Sequence, residues 1–241
     1  TVTAIREEMK EKIESELAIG FNTRPVVADT EQELEDVYAP LPENRNITVI
    51  DNSAPAYTPP AQATEKRMID AISEGLRLSM QQHPNLILMG QDIAEYGGAF
   101  KITEGFVKDF GKEKVRNTPL CESAIVGAAL GLSLQGFKSM MEMQFADFVT
   151  VGFNQIINNL AKIHYRWGQP ADVVIRMPTG GGVGAGPFHS QSNEAWFVHT
   201  PGLKVVYPST PADAKGLLIA AINDPNPVMF FEHKALYRSV S

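Results

Sequence analysis

The chain has 241 residues, of which 44% are hydrophobic and 20% charged, and this composition is typical of a globular protein with one sizeable core. Its formal net charge of -7 leaves no excess of cations for a phosphate backbone, which argues against nucleic-acid binding. The single cysteine, Cys121, excludes an internal disulfide and a cysteine-based metal cluster. We find no apolar stretch long enough for a bilayer and no secretion signal, so we predict a cytoplasmic protein.

The first 63 residues differ in pattern from the rest of the chain. Within residues 1–18, apolar residues recur every four positions, at Ile5, Met9, Ile13 and Leu17, which predicts an amphipathic helix. Residues 40–63 are rich in proline and have little hydrophobic periodicity, which is typical of a linker. We therefore predict a helical tail over residues 1–39, a linker over 40–63 and one main domain over 64–241.

From residue 64 onward, helical patterns alternate with short apolar runs. The pattern predicts helices over residues 63–80, 124–134, 148–167 and 211–222, and strands over 86–90, 139–143, 173–177, 204–207 and 228–231, with a further strand ending near residue 117. Wholly apolar strands that alternate with helices are typical of a parallel sheet covered on both faces. The predicted fold is a doubly wound α/β domain with a mainly parallel sheet of about six strands. In such sheets, sites form in loops at the carboxyl ends of the strands, here residues 117–123, 144–148 and 178–192.

Glu122 lies between a predicted strand end and a helix rich in alanine and glycine. An acidic side chain in the first turn of a helix is stabilised by the helix dipole, so this position alone does not separate a structural role from a chemical one. The neighbouring Cys121 has no identifiable base nearby in the sequence, and we interpret it as a small buried residue rather than a nucleophile.

The run Gly180-Gly-Gly-Val-Gly-Ala-Gly looks like a phosphate-binding loop, since stacked glycines expose backbone N–H groups. Pro187 and Phe188 follow where a dinucleotide site needs a helix, and no Lys-Ser/Thr pair is present, which argues against nucleotide binding. His189 comes next, in a place where it can reach a ligand. The other histidines have no metal-ligand spacing, and structural roles suffice for them.

Four motifs occur together in the second half of the chain. They are Thr118-Pro-Leu-Cys-Glu-Ser-Ala-Ile-Val-Gly, Glu142-Met-Gln-Phe-Ala-Asp-Phe, His189-Ser-Gln-Ser-Asn-Glu-Ala and Phe230-Phe-Glu-His-Lys-Ala-Leu-Tyr-Arg. In order and spacing they resemble the beta subunit of the thiamine-diphosphate-dependent 2-oxo acid dehydrogenases, over residues 66–241. Residues 1–39, with Glu33-Leu-Glu-Asp-Val-Tyr-Ala, look like the tail of the family's alpha subunit, so the chain resembles the junction of an alpha–beta fusion.

The resemblance implies roles for particular residues. Glu122 would bind the aminopyrimidine of thiamine diphosphate as a carboxylic acid, in a dry pocket that keeps it protonated, and His189 would be the second catalytic residue. Three residues would bind the cofactor: Leu120, Gln144 and Phe148, the last replacing a tyrosine found in many relatives. Asp224 and Asn226 resemble a potassium-binding loop in which Ala221 replaces a cysteine.

The resemblance also implies partners that the chain would need. The diphosphate and magnesium are bound in this family by a Gly-Asp-Gly motif of the alpha part, which is absent from this sequence, so we expect the chain alone to be inactive. The implied partners are an alpha-type diphosphate-binding domain, a second copy of the chain and a lipoyl-bearing acyltransferase. The sequence does not distinguish pyruvate from branched-chain 2-oxo acids as the substrate. These substrates differ by a few methylenes, which changes the binding free energy in a pocket by only ~1–3 kcal/mol.

Two alternative functions remain at this point. The chain can be the pyrimidine-binding domain of a transketolase or a deoxyxylulose-phosphate synthase, or it can be a non-catalytic dimerisation module that pairs through its Ala/Gly-rich helix.

Overall fold

The computed structural model describes residues 1–42 and 64–239, which divide into two compact units, Thr1–Leu34 and Glu35–Ser241. In the first unit, the predicted amphipathic helix is present as α1, Val2–Asn22. The next helix, α2, spans Thr30–Glu35 and ends one residue after this unit. No residue of α1, whose whole length is described, is buried. Most of the predicted linker lies outside the described residues.

The first compact unit ends at Leu34. Residues after it contact other parts of the second unit: the hydroxyl of Tyr38 donates to the carbonyl of Leu203 at 3.1 Å, and Ala39 is buried. The short segment before residue 40 therefore belongs to the larger unit by its contacts.

Within residues 64–239, the second unit forms a six-stranded sheet in the order β2-β1-β3-β4-β6-β5, and every neighbouring pair is parallel. This confirms the predicted parallel α/β fold. The strands are β1, Leu86–Gly90; β2, Val115–Asn117; β3, Lys138–Glu142; β4, Val173–Thr179; β5, Lys204–Val206; and β6, Val228–His233.

Helices cover both faces of the sheet because successive strand residues point to opposite sides. Met141 and Ile175 enter one apolar cluster with residues of α5, whereas their neighbours Met140 and Val174 enter another with residues of α3 and α8. The α-helices of this unit are α3, Met68–Gln82; α4, Phe106–Phe110; α5, Glu122–Leu134; α6, Ile163–Trp167; α7, Ala195–Val198; and α8, Pro211–Asn223.

The predicted helix over residues 148–167 is irregular in the structure. It consists of a 3₁₀ helix, Ala146–Gly152, a π-helical turn, Gln155–Asn159, a second 3₁₀ turn, Leu160–Lys162, and then α6. These changes of pitch keep Val149, Ile156 and Leu160 in the same apolar cluster. Packing against α5 and the sheet therefore decides the local helix geometry.

All carboxyl ends of the parallel strands meet at one edge of the sheet, which we call the carboxyl edge. The loops after β1, β3, β4 and β6 lie side by side there, because these strands are neighbours. Of the helices in the described residues, none combines the length and apolar character needed to cross a membrane.

Candidate active site

Glu122 is the first residue of α5 and is 9% exposed. Its Oε1 accepts a hydrogen bond of 3.1 Å from Nε2 of Gln91, the residue that follows β1. Among the described residues no other side chain donates to this carboxyl, and Oε1 of Gln91 is buried without a partner. Oε2 of Glu122 and Oε1 of Gln91 are therefore available to bind a ligand.

The fold places this pair where the direction of chain winding reverses. From β1 the chain passes to β2 on one side, and α5 then carries it back to β3 on the other side of β1. In open α/β sheets, such a reversal leaves a crevice at the carboxyl edge that serves as a binding site. Glu122 stands at the helix that opens this crevice.

An aromatic cluster follows β3 and β4 at the same edge. The ring of Phe145 lies edge-on to the rings of Phe148 and His189, with centroid distances of 5.8 and 4.7 Å, and Phe148 and His189 are 5.5 Å apart. Nδ1 of His189 is buried and has no hydrogen-bond partner among the described residues. The structure thus brings the predicted residues Phe148 and His189 into contact.

Asp147 ties the loop after β4 to the 3₁₀ helix after β3. Its Oδ1 accepts three hydrogen bonds of 3.1 Å, from the backbone N–H groups of Ser190 and Gln191 and from Nε2 of Gln191. These bonds fix the chain directly after His189. The sequence motif containing Asp147 was noted above, but this organising role was not predicted; a buried acid beside apolar neighbours is the signal that points to it.

The remaining predicted cofactor residues lie nearer to the surface. Leu120 is 81% exposed, and Gln144 is partly buried and makes no side-chain hydrogen bond to any described residue. Within the described residues, neither side chain makes a hydrogen bond to Glu122. An apolar side chain as exposed as Leu120 is suited to a surface that another molecule covers.

A buried ion network lies beneath the carboxyl edge, and sequence reasoning missed it. Arg176 on β4 is fully buried and binds Glu232 on β6 through two hydrogen bonds of 2.6 and 2.7 Å and Glu142 on β3 through one of 2.7 Å. The hydroxyl of Tyr237 donates to Glu232 at 2.6 Å. A charged residue within the apolar run of β4 is the signal that indicates such a network.

Burial controls the proton affinity of this network. Desolvation raises the pKa of Glu142 despite the nearby charge of Arg176, and desolvation together with the charge of Glu232 raises the pKa of Tyr237 well above its ordinary value. Tyr237 is therefore a neutral donor. The network connects β3, β4 and β6 beneath the loops of the carboxyl edge.

Asp224 and Asn226, the predicted potassium residues, lie before β6, at the opposite end of the sheet from Glu122. Oδ2 of Asp224 binds Nζ of Lys204 at 2.6 Å, and Oδ1 accepts from the backbone and side-chain N–H groups of Asn226 at 3.0 Å. Oδ1 of Asn226 accepts from the backbone N–H of Ala39 at 2.7 Å. Since these side-chain oxygens have donors, a cation in this loop would need backbone carbonyl groups.

Glycines in the loop after β4 have a structural reason in this fold. Gly180 has φ of +78°, and a Cβ at this position would lie 2.6 Å from Nε2 of His233.

The described residues hold no group of three or more His, Cys, Asp or Glu side chains arranged to bind a metal.

The parallel sheet, the crevice at its carboxyl edge and the buried Glu122–Gln91 pair define an α/β domain built to present one face of a ligand site. Residues 64–240 match the family model described as the transketolase pyrimidine-binding domain. The chain belongs to this family, and membership implies thiamine diphosphate as the cofactor.

Among similar proteins, the 2-oxoisovalerate dehydrogenase subunit beta of Bacillus subtilis is 49% identical over 176 residues, which are 71% of this chain and 53% of that protein. The pyruvate dehydrogenase E1 component subunit beta of the same organism is 47% identical, over 71% of this chain and 54% of that protein. The mitochondrial 2-oxoisovalerate dehydrogenase subunit beta 2 of Arabidopsis thaliana is 45% identical, over 71% and 48%. The chain spans about half the length of these curated relatives.

A solved structure described as a split gene transketolase, inactive beta4 tetramer, shares the fold. Its TM-score is 0.55 at 22% sequence identity, and the match covers 68% of this chain and 50% of that one.

Proposed function

We propose that this domain holds the aminopyrimidine half of the thiamine diphosphate site in a 2-oxo acid dehydrogenase. The observation that carries the proposal is the buried carboxyl of Glu122, which has one oxygen held by Gln91 and the other available at the crevice beside β1. Thiamine diphosphate, when bound, supplies the chemistry that decarboxylates a 2-oxo acid, and the acyl group passes to lipoamide.

In this proposal, the residues of the chain bind the pyrimidine and place one proton. Glu122 donates a hydrogen bond to a ring nitrogen as a carboxylic acid, and Gln91 fixes the orientation of that carboxyl. The rings of Phe148 and Phe145 offer apolar surface for the pyrimidine. Leu120 and Gln144 line the outer part of the pocket, and His189 faces the reacting substrate with its unpartnered nitrogen.

The substrate class of the complete protein is a short 2-oxo acid. Relatives named for 2-oxoisovalerate and for pyruvate are similar to this chain at 49% and 47% identity, so both substrates are candidates for the test. Competition between the two in the complete enzyme distinguishes them.

The proposed partners follow from the surfaces of the domain. An alpha-type domain would cover Leu120 and bring the diphosphate with its magnesium, and a lipoyl-bearing acyltransferase would take the acyl group. A second copy would cover apolar side chains of the irregular helix and α7, where Phe153 and Trp196 line an open cavity of about 410 Å³. Phe153 is 37% exposed and Trp196 is 38% exposed. An interface with a second copy would explain why these aromatic side chains lie at the surface of the single chain.

Three finer predictions remain proposals. Residues 1–39 derive from an alpha-type tail, potassium binds at the loop of Asp224 and Asn226, and the protein is cytoplasmic. A melting temperature that is higher in potassium chloride than in sodium chloride would support the potassium site, and equal values would contradict it.

The decisive experiment reconstitutes the chain with an alpha-type diphosphate-binding partner and compares the wild type with Glu122→Gln. We expect the variant to lose at least about a hundredfold in decarboxylation rate, the usual range for a positioned proton donor. Glu113→Gln, at an exposed position, is the matched control. Undiminished activity of Glu122→Gln would contradict the proposal. Turnover of sugar phosphates instead of 2-oxo acids would favour a transketolase-type function, and an inert complex with normal assembly would favour a non-catalytic pairing module.

A further inference from the structure

A second cavity lies beside the candidate active site, between the loops after β1, β4 and β6. Its volume is about 310 Å³, and three of its lining side chains are cationic: Lys101, Lys234 and Arg238. No acidic residue is among the described residues that line it. We call it the cationic cavity.

Lys234 is the most informative residue of this cavity. It follows β6 directly, is 7% exposed, and its Nζ has no hydrogen-bond partner among the described residues. The ring centroid of Phe145 lies 5.2 Å from Nζ. The charge of Asp147 acts on this ammonium, but neither Nζ of Lys234 nor Oδ2 of Asp147 has a hydrogen-bond partner among the described residues, so a ligand that supplies an anionic oxygen to Nζ would stabilise it.

The two other cations stand at the rim of the cavity. Within residues 64–239, Arg238 is exposed and makes no hydrogen bond or ion pair. Nζ of Lys101 donates to the carbonyl of Tyr96 at 2.6 Å, which fixes the ammonium and leaves further N–H donors for a ligand. The lining of the cavity therefore carries one buried and two exposed positive charges.

Apart from the three cationic residues, most residues that line the cavity are apolar. Ile69, Phe100 and Tyr237 contribute apolar surface. Gly182, with φ of +110°, forms part of the wall, and a Cβ there would lie 3.3 Å from Cβ of Ala235, so the glycine lets the loop close over the residue after Lys234. Inorganic anions gain nothing from such surfaces, whereas an organic anion does.

We propose that the cationic cavity binds a small organic anion, with a carboxylate at Lys234 and Arg238 and a short apolar body against Phe100 and Tyr237. This site is separate from Glu122 and does not rest on the proposed function. Phe145 contacts Phe100 at a centroid distance of 5.6 Å and His189 at 4.7 Å, so an occupant of the cavity adjoins the aromatic cluster of the candidate active site.

The test measures binding of isobutyrate to the 241-residue chain by calorimetry, with isobutyramide as the neutral analogue of equal shape and inorganic phosphate as the plain anion. We expect isobutyrate to bind at least about tenfold more tightly than either analogue, because a charge-assisted hydrogen bond in a buried setting is worth about one decade or more.

Variants locate the binding. Lys234→Met and Arg238→Gln should each weaken isobutyrate binding about tenfold, whereas Lys108→Gln, at an exposed position away from the cavity, should leave it unchanged. Arg238→Gln alters an exposed residue and keeps the test informative if Lys234→Met disturbs folding. Equal binding of isobutyramide, tighter binding of phosphate, no detectable binding of isobutyrate, or unchanged binding in Arg238→Gln would each overturn the proposal.

Discussion

The guanidinium of Arg176 on β4 binds the carboxylate of Glu232 on β6 in a two-point arrangement, with Nε–Oε1 and Nη2–Oε2 distances of 2.6 and 2.7 Å. Both side chains are fully buried, and Glu142 on β3 binds the same guanidinium. This network connects three neighbouring strands directly below the loops that carry the candidate site. Buried, charge-assisted hydrogen bonds therefore join the three strands beneath the candidate site.

We expect Arg176→Met to lower the free energy of unfolding by about 3–5 kcal/mol, because two carboxylates would be left buried without a counter-charge. Urea denaturation at neutral pH measures this change. Arg166→Met, at an exposed position of α6, is the control and should change stability by less than about 0.5 kcal/mol. A loss from Arg176→Met as small as that of the control would contradict the structural role.

Gln91 positions Glu122, so its replacement should affect the reaction without unfolding the domain. In the complex reconstituted with an alpha-type partner, Gln91→Met should lower kcat about tenfold, leave KM nearly unchanged and shift the pH–rate profile, because the hydrogen bond at 3.1 Å is lost. Gln81→Met, at an exposed position of α3, should change none of these. A purely structural role for Gln91 predicts lower stability with an unmoved pH profile.

The segment before residue 40 is fastened to the large unit by Asn226. Ala39 donates to Asn226 at 2.7 Å, and Nδ2 of Asn226 donates back to the carbonyl of Ala39 at 3.0 Å. Because this asparagine is buried, Asn226→Ala should lower the free energy of unfolding by about 1–3 kcal/mol. It should also speed proteolytic cleavage near residue 40, which peptide mapping detects.

The exposed Asn158 is a suitable control for that experiment, since it bonds to neighbouring residues of the irregular helix. Equal cleavage rates in Asn226→Ala, Asn158→Ala and the wild type would show that the segment is not held in this way.

The free energy of unfolding depends on pH through the ionisation of Lys234. Burial lowers the pKa of Lys234 below its ordinary value, although the charge of Asp147 acts in the opposite direction. As pH rises through the lowered folded-state pKa toward 10.5, the folded state loses this proton before the unfolded state does, so stability from this group increases. Below the lowered pKa both states are charged, and the folded state bears the full desolvation penalty.

Without a ligand, Lys234→Met should therefore be more stable than the wild type at pH 7, and this advantage should shrink by pH 10. Urea midpoints of both proteins at the two pH values provide the measurement. For Lys108→Met, the difference in urea midpoint from the wild type should be the same at pH 7 and at pH 10. An advantage of Lys234→Met that stays constant with pH would contradict the assignment.

Local sequence was sufficient for most strands and regular helices. The run that forms β1 is wholly apolar, the run that forms β4 is apolar apart from Arg176 and Thr179, and the helix that begins at Pro211 has a proline in its first turn and a threonine cap, so each is specified by its own residues. The region over residues 148–167 differed, because its pitch adapts to α5 and the sheet instead of following its own periodicity.

Of the site, the sequence by itself determined the family and, through it, the prediction for Glu122, because four motifs occur together in a fixed order. Only the tertiary structure decided what surrounds that residue. Gln91 is 31 positions away in the chain, the network of Arg176 draws on three strands, and the cationic cavity combines three separate loops. Parallel strands bring segments that are distant in the chain to one edge of the sheet. Local sequence patterns do not predict which side chains meet at that edge.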